Sequence, residues 1–126
     1  MSLKSILIVD DEPSIRKIFS HFLGKEIERV DLAEDGLIGL QMAKNYEYDL
    51  IISDISMPNM DGMEFFEQLR KQGIKTDFVF ITAYDDKEKE IQALGLPYQG
   101  FNVKPINRSA LLSLIEPFHT KYKAMP

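Results

Sequence analysis

Short runs of apolar residues, each ending at a polar side chain, constrain the fold of this chain more than any other feature. Four such runs end at Asp10-Asp11, at Asp54, at Thr82 and at Lys104-Pro105. Segments with helical spacing separate them, and this alternation predicts a buried parallel sheet. Because the carboxyl ends of parallel strands meet at one edge of such a sheet, we expect these polar side chains to lie together there.

The whole pattern divides into five units, each a strand followed by a helix. Right-handed crossovers would place the helices on both faces of the sheet. We therefore predict an α/β fold with a doubly wound, five-stranded parallel sheet in the flavodoxin-like strand order 2-1-3-4-5. A single domain is expected over residues 1–126, with its core at about residues 4–120.

Several residues mark where the predicted helices begin and end. Pro13 suits the first turn of helix one, and the side chains of Asp35 and Asn107 can cap helices two and five. Helix four should be the weakest, because the run 85–90 is mostly charged. The last helix is expected to stop near Pro117, since proline cannot donate a backbone hydrogen bond.

Composition excludes several classes of function. The net charge of −5 argues against contact between this domain and nucleic acid. The absence of cysteine excludes disulfides, thiol catalysis and thiolate metal sites, and two histidines are too few for a histidine-rich metal site. No apolar run approaches the length that spans a bilayer, and no signal-peptide core follows the first residue. These features predict a soluble, cytoplasmic domain with no membrane partner.

The polar residues at the strand ends suit phosphoryl transfer. Asp10, Asp11 and Asp54 would repel one another unless a cation lay between them, and oxygen ligands suit Mg²⁺. Lys104 adds a mobile positive charge and Thr82 adds a hydroxyl donor. Phosphoryl transfer depends mainly on positioning and charge neutralisation, which these groups supply. An aspartate can be the nucleophile, and Asp54 is the candidate because it stands alone between the acidic pair and the lysine.

These residues belong to an ordered set of motifs that resembles the receiver domain of two-component response regulators. Beyond the acidic pair, the set comprises Ala33-Glu34-Asp35-Gly36, Tyr48 through Asp54, Met57-Pro58-Asn59-Met60-Asp61-Gly62, Ile81-Thr82-Ala83 and Lys104-Pro105. The resemblance implies that Asp54 accepts a phosphoryl group from a histidine kinase or a histidine phosphotransfer protein. It implies a phosphoacceptor that assists its own phosphorylation and dephosphorylation, not a turnover enzyme.

The same resemblance implies a role for each residue of the site. Thr82 and Lys104 would bind the phosphoryl oxygens, and a cis peptide bond would precede Pro105. Mg²⁺ would be held by the side chains of Asp10, Asp11 and Asp54 and by the backbone carbonyl of Ser56.

Further residues are implied to carry the signal and to meet the partner. Thr82 and Phe101 would form the switch, although Phe101 as plain core packing is an equal alternative. Ile15 on helix one would flank the site together with Pro105 and Ile106, partly exposed, and would meet the helices of the phosphodonor protein.

One segment departs from the family pattern. Pro97-Tyr98 stand where a small Gly-Ala pair is usual. We expect the region 82–98 to be the most mobile near the site and to tighten on phosphorylation, with Tyr84 lying over the site.

Three other functions share parts of this pattern. A flavodoxin-type cofactor binder needs a hydroxyl-rich phosphate loop after strand one, where Asp10-Asp11-Glu12-Pro13 would repel a phosphate. A haloacid-dehalogenase-like phosphatase expects a second aspartate two residues after its nucleophile, where this chain has Ser56. A receiver-like module that no longer accepts phosphate is opposed by the complete set of site residues.

Overall fold

The structure is a computed structural model that describes residues 3–83 and 87–123, with side chains to residue 119. Strands and helices alternate along these ranges as the sequence predicts. Their bounds are β1 Ser5–Val9, α1 Pro13–Leu23, β2 Arg29–Ala33, α2 Gly36–Asn45, β3 Leu50–Asp54, α3 Gly62–Lys71, β4 Asp77–Thr82, α4 Lys87–Ala93, β5 Gly100–Val103 and α5 Arg108–Lys123.

The sheet has the predicted order, β2-β1-β3-β4-β5, and every neighbouring pair is parallel. The register is regular. Val9 at the end of β1 lies opposite Ser53, Asp54 at the end of β3 lies opposite Ile81, and Thr82 at the end of β4 lies opposite Val103. The carboxyl ends of these four strands therefore share one edge of the sheet.

Two apolar layers cover the two faces of the sheet. On one face, α2, α3 and α4 pack against Leu7, Val9 and other inward residues of the strands. On the opposite face, α1 and α5 pack against Ile6 and Ile8. All five residues of β1 and of β3 are buried. Continuous burial is typical of strands that are covered on both sides, and it explains why their sequences are predominantly apolar.

Aromatic rings form the centre of the layer under α3. The ring of Phe66 lies 5.0 Å from that of Phe78 and 5.2 Å from that of Phe80, measured between centroids. Tyr98 approaches the same rings from the segment that precedes β5, at 6.4 Å from Phe66 and 5.7 Å from Phe80. These tilted and edge-on contacts are the favourable geometries for aromatic pairs.

The helix ends agree with most of the sequence predictions. Asp35 caps α2 by accepting the N–H of Ile38 at 2.9 Å, and Asn107 accepts the N–H of Ala110 at 2.8 Å at the start of α5. In α4, Ile91 is the one buried residue among those described, so the helix is as weakly anchored as expected.

The prediction that α5 stops near Pro117 was wrong. The helix runs on to Lys123 with the proline inside it. A proline removes one intrahelical hydrogen bond and costs about 3 kcal/mol in a helix interior. Phe118, the next residue, is only 7% exposed and packs in the α1 and α5 layer. Its burial offsets much of that cost, since a fully buried aromatic ring contributes about 1.5–3 kcal/mol.

The described helices include none that is long and apolar enough to cross a lipid bilayer.

Phe66→Ala should lower the free energy of unfolding by about 3–5 kcal/mol, because it leaves a cavity among rings that are closely packed. Leu37→Ala, on α2, is the matched control, since Leu37 is 45% exposed and should change stability by less than about 0.5 kcal/mol. Urea unfolding followed by circular dichroism measures both. Equal losses in the two variants would contradict the central place of the aromatic layer.

Candidate functional site

Four strand ends place the site at the carboxyl edge of the sheet. Asp10 directly follows β1 and is wholly buried, and Asp54 is the last residue of β3 and is 6% exposed. Thr82, also buried, ends β4. Lys104 follows β5, and its backbone N–H donates to the carbonyl of Thr82 at 2.7 Å. The polar residues that the sequence predicted to meet are therefore neighbours.

The ammonium group of Lys104 lies among three carboxylates. Its Nζ is 2.9 Å from Asp10 Oδ2, 3.1 Å from Glu12 Oε1 and 3.2 Å from Asp54 Oδ2. Beside it is a cavity of about 180 Å³, lined mainly by Asp11, Glu12, Asp54, Ser56, Thr82 and Lys104. Its volume is that of about six water molecules in the liquid, which is enough for a phosphoryl group.

Backbone groups fix the two buried carboxylates. Asp10 Oδ1 accepts the N–H of Glu12 at 2.9 Å, and Asp54 Oδ1 accepts the N–H of Ile55 at 2.8 Å. In each case the other oxygen, Oδ2, is the one that lies next to Lys104. In both side chains, Oδ2 is therefore the oxygen that is available to bind a ligand or to react.

Negative charge exceeds positive charge at this site. Burial, with the charge of Asp10, raises the pKa of Asp54 above its ordinary value. Burial also raises the pKa of Asp10. For Lys104, burial acts to lower the pKa, but the close negative charges of Asp10, Asp54 and Glu12 outweigh burial, and the pKa is raised. One ammonium group among three carboxylates leaves a deficit of positive charge, which a divalent cation would neutralise.

The oxygen atoms of this site fit a hard cation. One oxygen from each of Asp10, Glu12 and Asp54 lies within 4.8 Å of the others. Within the described ranges, Asp10 Oδ2 makes no hydrogen bond of acceptable geometry, although it is buried and within ion-pair distance of Lys104. A buried carboxylate oxygen without a hydrogen bond, beside two further carboxylates, suits a cation such as Mg²⁺.

Sequence reasoning missed Glu12 and Arg16. Glu12 is the residue before α1, and its side chain makes no capping bond, so it is available to reach Lys104. Arg16, one turn into the helix, donates to the carbonyl of Asp10 at 2.8 Å. Asp11, which the sequence favoured as a metal ligand, is exposed and lines the cavity, but it is not one of the three clustered carboxylates. Pro13 could have pointed to Glu12, because a proline at the first position of a helix makes the residue before it the helix cap.

The loop after Asp54 is tied down at several points. Asn59 donates from Nδ2 to Asp35 Oδ2 at 2.7 Å. The N–H of Gly36 donates to the carbonyl of Met60 at 3.0 Å. A Cβ atom on Gly62, the first residue of α3, would clash with the backbone carbonyl of Asp54. The loop 55–61 therefore forms a fixed wall of the site, anchored to α2 and α3.

The remaining predicted residues differ in their burial. Phe101 is half-buried, lies opposite Phe80 in the sheet and packs against the aromatic layer. Ile15 and Ile106 are half-buried, whereas Pro105 is exposed. The bond between Lys104 and Pro105 is cis, as predicted. Tyr84, which the sequence placed over the site, lies outside the described residues.

Comparison with known proteins agrees with this geometry. The family model of the response regulator receiver domain matches residues 6–116. The chemotaxis protein CheY of Halobacterium salinarum is 30% identical over 112 residues, which are 89% of this chain and 93% of that protein. A probable transcriptional regulator, ycf29, of Porphyra purpurea is 34% identical over 114 residues, which are 89% of this chain but 54% of that protein.

A solved structure has the same fold. The response regulator protein TrrA from Thermotoga maritima, in complex with Mg²⁺ and beryllofluoride, has a TM-score of 0.81 and 31% identity, over 92% of this chain and 99% of that one. This chain spans about half the length of several of the curated relatives that it matches. With its strand order, its strand-end residues and a family match over residues 6–116, the chain belongs to the response regulator receiver domain family.

Proposed function

We propose that this domain is a signalling switch that accepts a phosphoryl group on Asp54, in a Mg²⁺-dependent reaction, from a histidine kinase or a histidine phosphotransfer protein. The observation that carries the proposal is the position of Lys104 Nζ, which lies 3.2 Å from Asp54 Oδ2 beside a cavity of phosphoryl size. The crowding of further carboxylates around the same ammonium supports it.

Asp54 Oδ2 is the proposed nucleophile. Because Oδ1 is held by the N–H of Ile55, Oδ2 is the oxygen that faces the ammonium. It attacks the phosphorus atom, the bond from phosphorus to the imidazole nitrogen of the donor breaks, and the imidazole leaves with the bonding electron pair. The product is an acyl phosphate on Asp54.

Lys104 and Thr82 bind the phosphoryl oxygens in this proposal. As the charge of Asp54 passes to those oxygens, Lys104 can follow it without leaving the site, since its side chain is long and already adjacent. When bound, Mg²⁺ supplies neutralisation of charge on the phosphoryl oxygens. Its proposed ligands are the side chains of Asp10, Asp11 and Asp54 and the backbone carbonyl of Ser56.

The switch is proposed to work through Thr82 and Phe101. Movement of Thr82 toward the phosphoryl group would change the space next to β5, and the half-buried ring of Phe101 can change rotamer into it. Phenylalanine has no hydroxyl group, so this signal would be transmitted by packing. The effector that reads it would be an output domain or a separate protein, without direct contact between this domain and nucleic acid.

Asp54→Asn should abolish phosphorylation. With Mg²⁺ and a small phosphodonor such as acetyl phosphate, the wild type should gain one phosphoryl group by intact-mass spectrometry and the variant none. Asp49→Asn is the matched control, because Asp49 comes just before β3 whereas Asp54 ends that strand, and it should be labelled like the wild type. Asp11→Ala should also block labelling through loss of the cation.

Equal labelling of Asp54→Asn and the wild type would contradict the assignment of the phosphoryl acceptor. A wild type that remains unlabelled at saturating Mg²⁺ and phosphodonor would favour the alternative of a receiver-like module that no longer accepts phosphate.

Asp54→Asn should also make the metal-free protein more stable at pH 7, by on the order of 1 kcal/mol. The pKa of Asp54 is raised above its ordinary value of 3.8, so the folded state holds the proton more tightly than the unfolded chain. Stability is therefore lost as the pH rises through that raised pKa. The advantage of the variant should shrink toward pH 4, as measured by urea unfolding.

Glu34→Gln, which removes an exposed carboxylate, is the control for that comparison and should change stability little at either pH. A variant Asp54→Asn that is less stable than the wild type at pH 7 would mean that the pairing of Asp54 with Lys104 outweighs the cost of its burial.

Ile15→Ala should slow phosphoryl transfer from a protein donor severalfold and leave transfer from acetyl phosphate unchanged. Ile15 is half-buried in the first turn of α1, the helix that follows Asp10, so its outer surface is available to a partner helix. Ile18→Ala is the control on the same helix, one turn away and 44% exposed. Equal slowing with both donors would show that Ile15 supports the site and does not contact the partner.

A further inference from the structure

β5, the strand that leads to Lys104, is the least anchored strand of the sheet. It has four residues, lies at the edge and pairs with β4 alone. None of its residues is buried, whereas all six residues of β4 are. The preceding helix α4 offers Ile91 as its one buried side chain in the described part of the chain. The start of β5 therefore needs support from elsewhere.

Arg70, near the end of α3, supplies that support. Its Nη1 donates to the carbonyl of Ile74 at 2.9 Å and its Nη2 to the carbonyl of Thr76 at 2.9 Å. Its Nε and Nη2 donate to the carbonyl of Pro97 at 3.3 and 3.2 Å. The guanidinium lies 4.8 Å from the centre of the Phe66 ring. One side chain thus joins the segment that enters β4 to the segment that enters β5.

The residues after Pro97 extend this attachment. Tyr98 packs edge-on against Phe66 and Phe80. Gln99 donates its N–H to the carbonyl of Phe78 at 2.8 Å and accepts the N–H of Phe78 on its side-chain oxygen at 2.6 Å. The position where this chain departs from the family pattern is therefore firmly attached to α3 and β4.

The far ends of the same two strands carry Thr82 and Lys104. The N–H of Lys104 donates to the carbonyl of Thr82, so the alignment of β5 along β4 determines where the lysine begins. Lys104 follows Pro97 by seven positions, about 23 Å of extended chain. A shift at the start of β5 would move the lysine relative to Asp54.

We infer that Arg70 is a positioning residue that aligns β5 with β4 and so places Lys104 at the site. The part of this inference that concerns phosphoryl binding rests on the proposed function. Arginine suits the task because its planar fork presents five donors in fixed directions. A lysine in its place carries its three donors on one nitrogen atom, without the wide planar fork that lets a guanidinium reach carbonyls on two separate segments.

Hydrogen exchange of Arg70→Met is the direct test. The variant keeps an apolar stem against Phe66 and removes every donor. Amides from Gln99 to Lys104 should exchange about tenfold faster or more, the effect of losing at least one charge-assisted hydrogen bond, while β1 and β3 stay unchanged. The exchange rates of Arg70→Lys should lie between those of the wild type and of Arg70→Met. Arg70→Lys replaces Arg70→Met as the test variant if the latter does not fold.

Lys71→Met is the matched control for hydrogen exchange. Lys71 is the next residue of α3, is exposed and makes a surface ion pair with Glu67 at 3.8 Å. It should leave exchange in β5 at the wild-type rate. Unchanged exchange in β5 of Arg70→Met or Arg70→Lys would overturn the inference.

The affinity for beryllofluoride with Mg²⁺, a mimic of the phosphoryl group, distinguishes a role of Arg70 in placing Lys104 from a role in stabilising the fold. Arg70→Met should bind it severalfold more weakly than Leu40→Ala. Leu40 is a buried residue of α2, which packs on β1 and β2, toward the other edge of the sheet from β5, so this core variant should be destabilised at a distance from β5. Equal affinities would mean that Arg70 supports the fold alone, and the positioning role would be rejected. If the wild type binds no mimic, the proposed function fails and the positioning role fails with it, whereas the exchange result still decides whether Arg70 holds β5.

Discussion

The in-register parallel pairing of four strands is the constraint on which the site depends. Asp10, Asp54, Thr82 and Lys104 are far apart in the sequence, and each is close to the site only because its own strand ends at the same edge. A shift of one residue in any of these strands would turn its terminal side chain to the other face of the sheet. The two buried apolar layers fix the register, so the core and the site are parts of one arrangement.

The concentration of negative charge at this edge opposes folding, and the core offsets it. Burial raises the pKa of both Asp10 and Asp54, which means that their charged forms are less favourable in the folded chain than in water. A domain selected for stability alone would place neutral side chains here. The same excess of charge is what attracts a cation and keeps Lys104 in place, so reactivity and stability conflict at this position.

The sequence predicted the parts of the structure that local patterns determine. Strand ends, helix caps and the order of the sheet follow from apolar runs, from turn residues and from the handedness of crossovers. Glu12 was missed because its reach toward Lys104 depends on how the chain bends into α1. Arg70 was missed because its partners, Thr76 and Pro97, come together only in the folded sheet. The prediction at Pro117 was wrong because the packing of Phe118 outweighs the tendency of proline to end a helix.

The loop 55–61 gives the two sides of the site unequal stiffness. That loop is bonded to the start of α2 and lies directly against the start of α3, so displacing it would disturb two helices at once. On the other side, α4 is held by one buried side chain among the described residues. When one side of a site is firmly held and the other is not, the less firmly held side moves. Strain that arises at Asp54 would therefore be relieved on the side of α4, so the unequal anchoring of the two sides sets the direction of movement before any ligand binds.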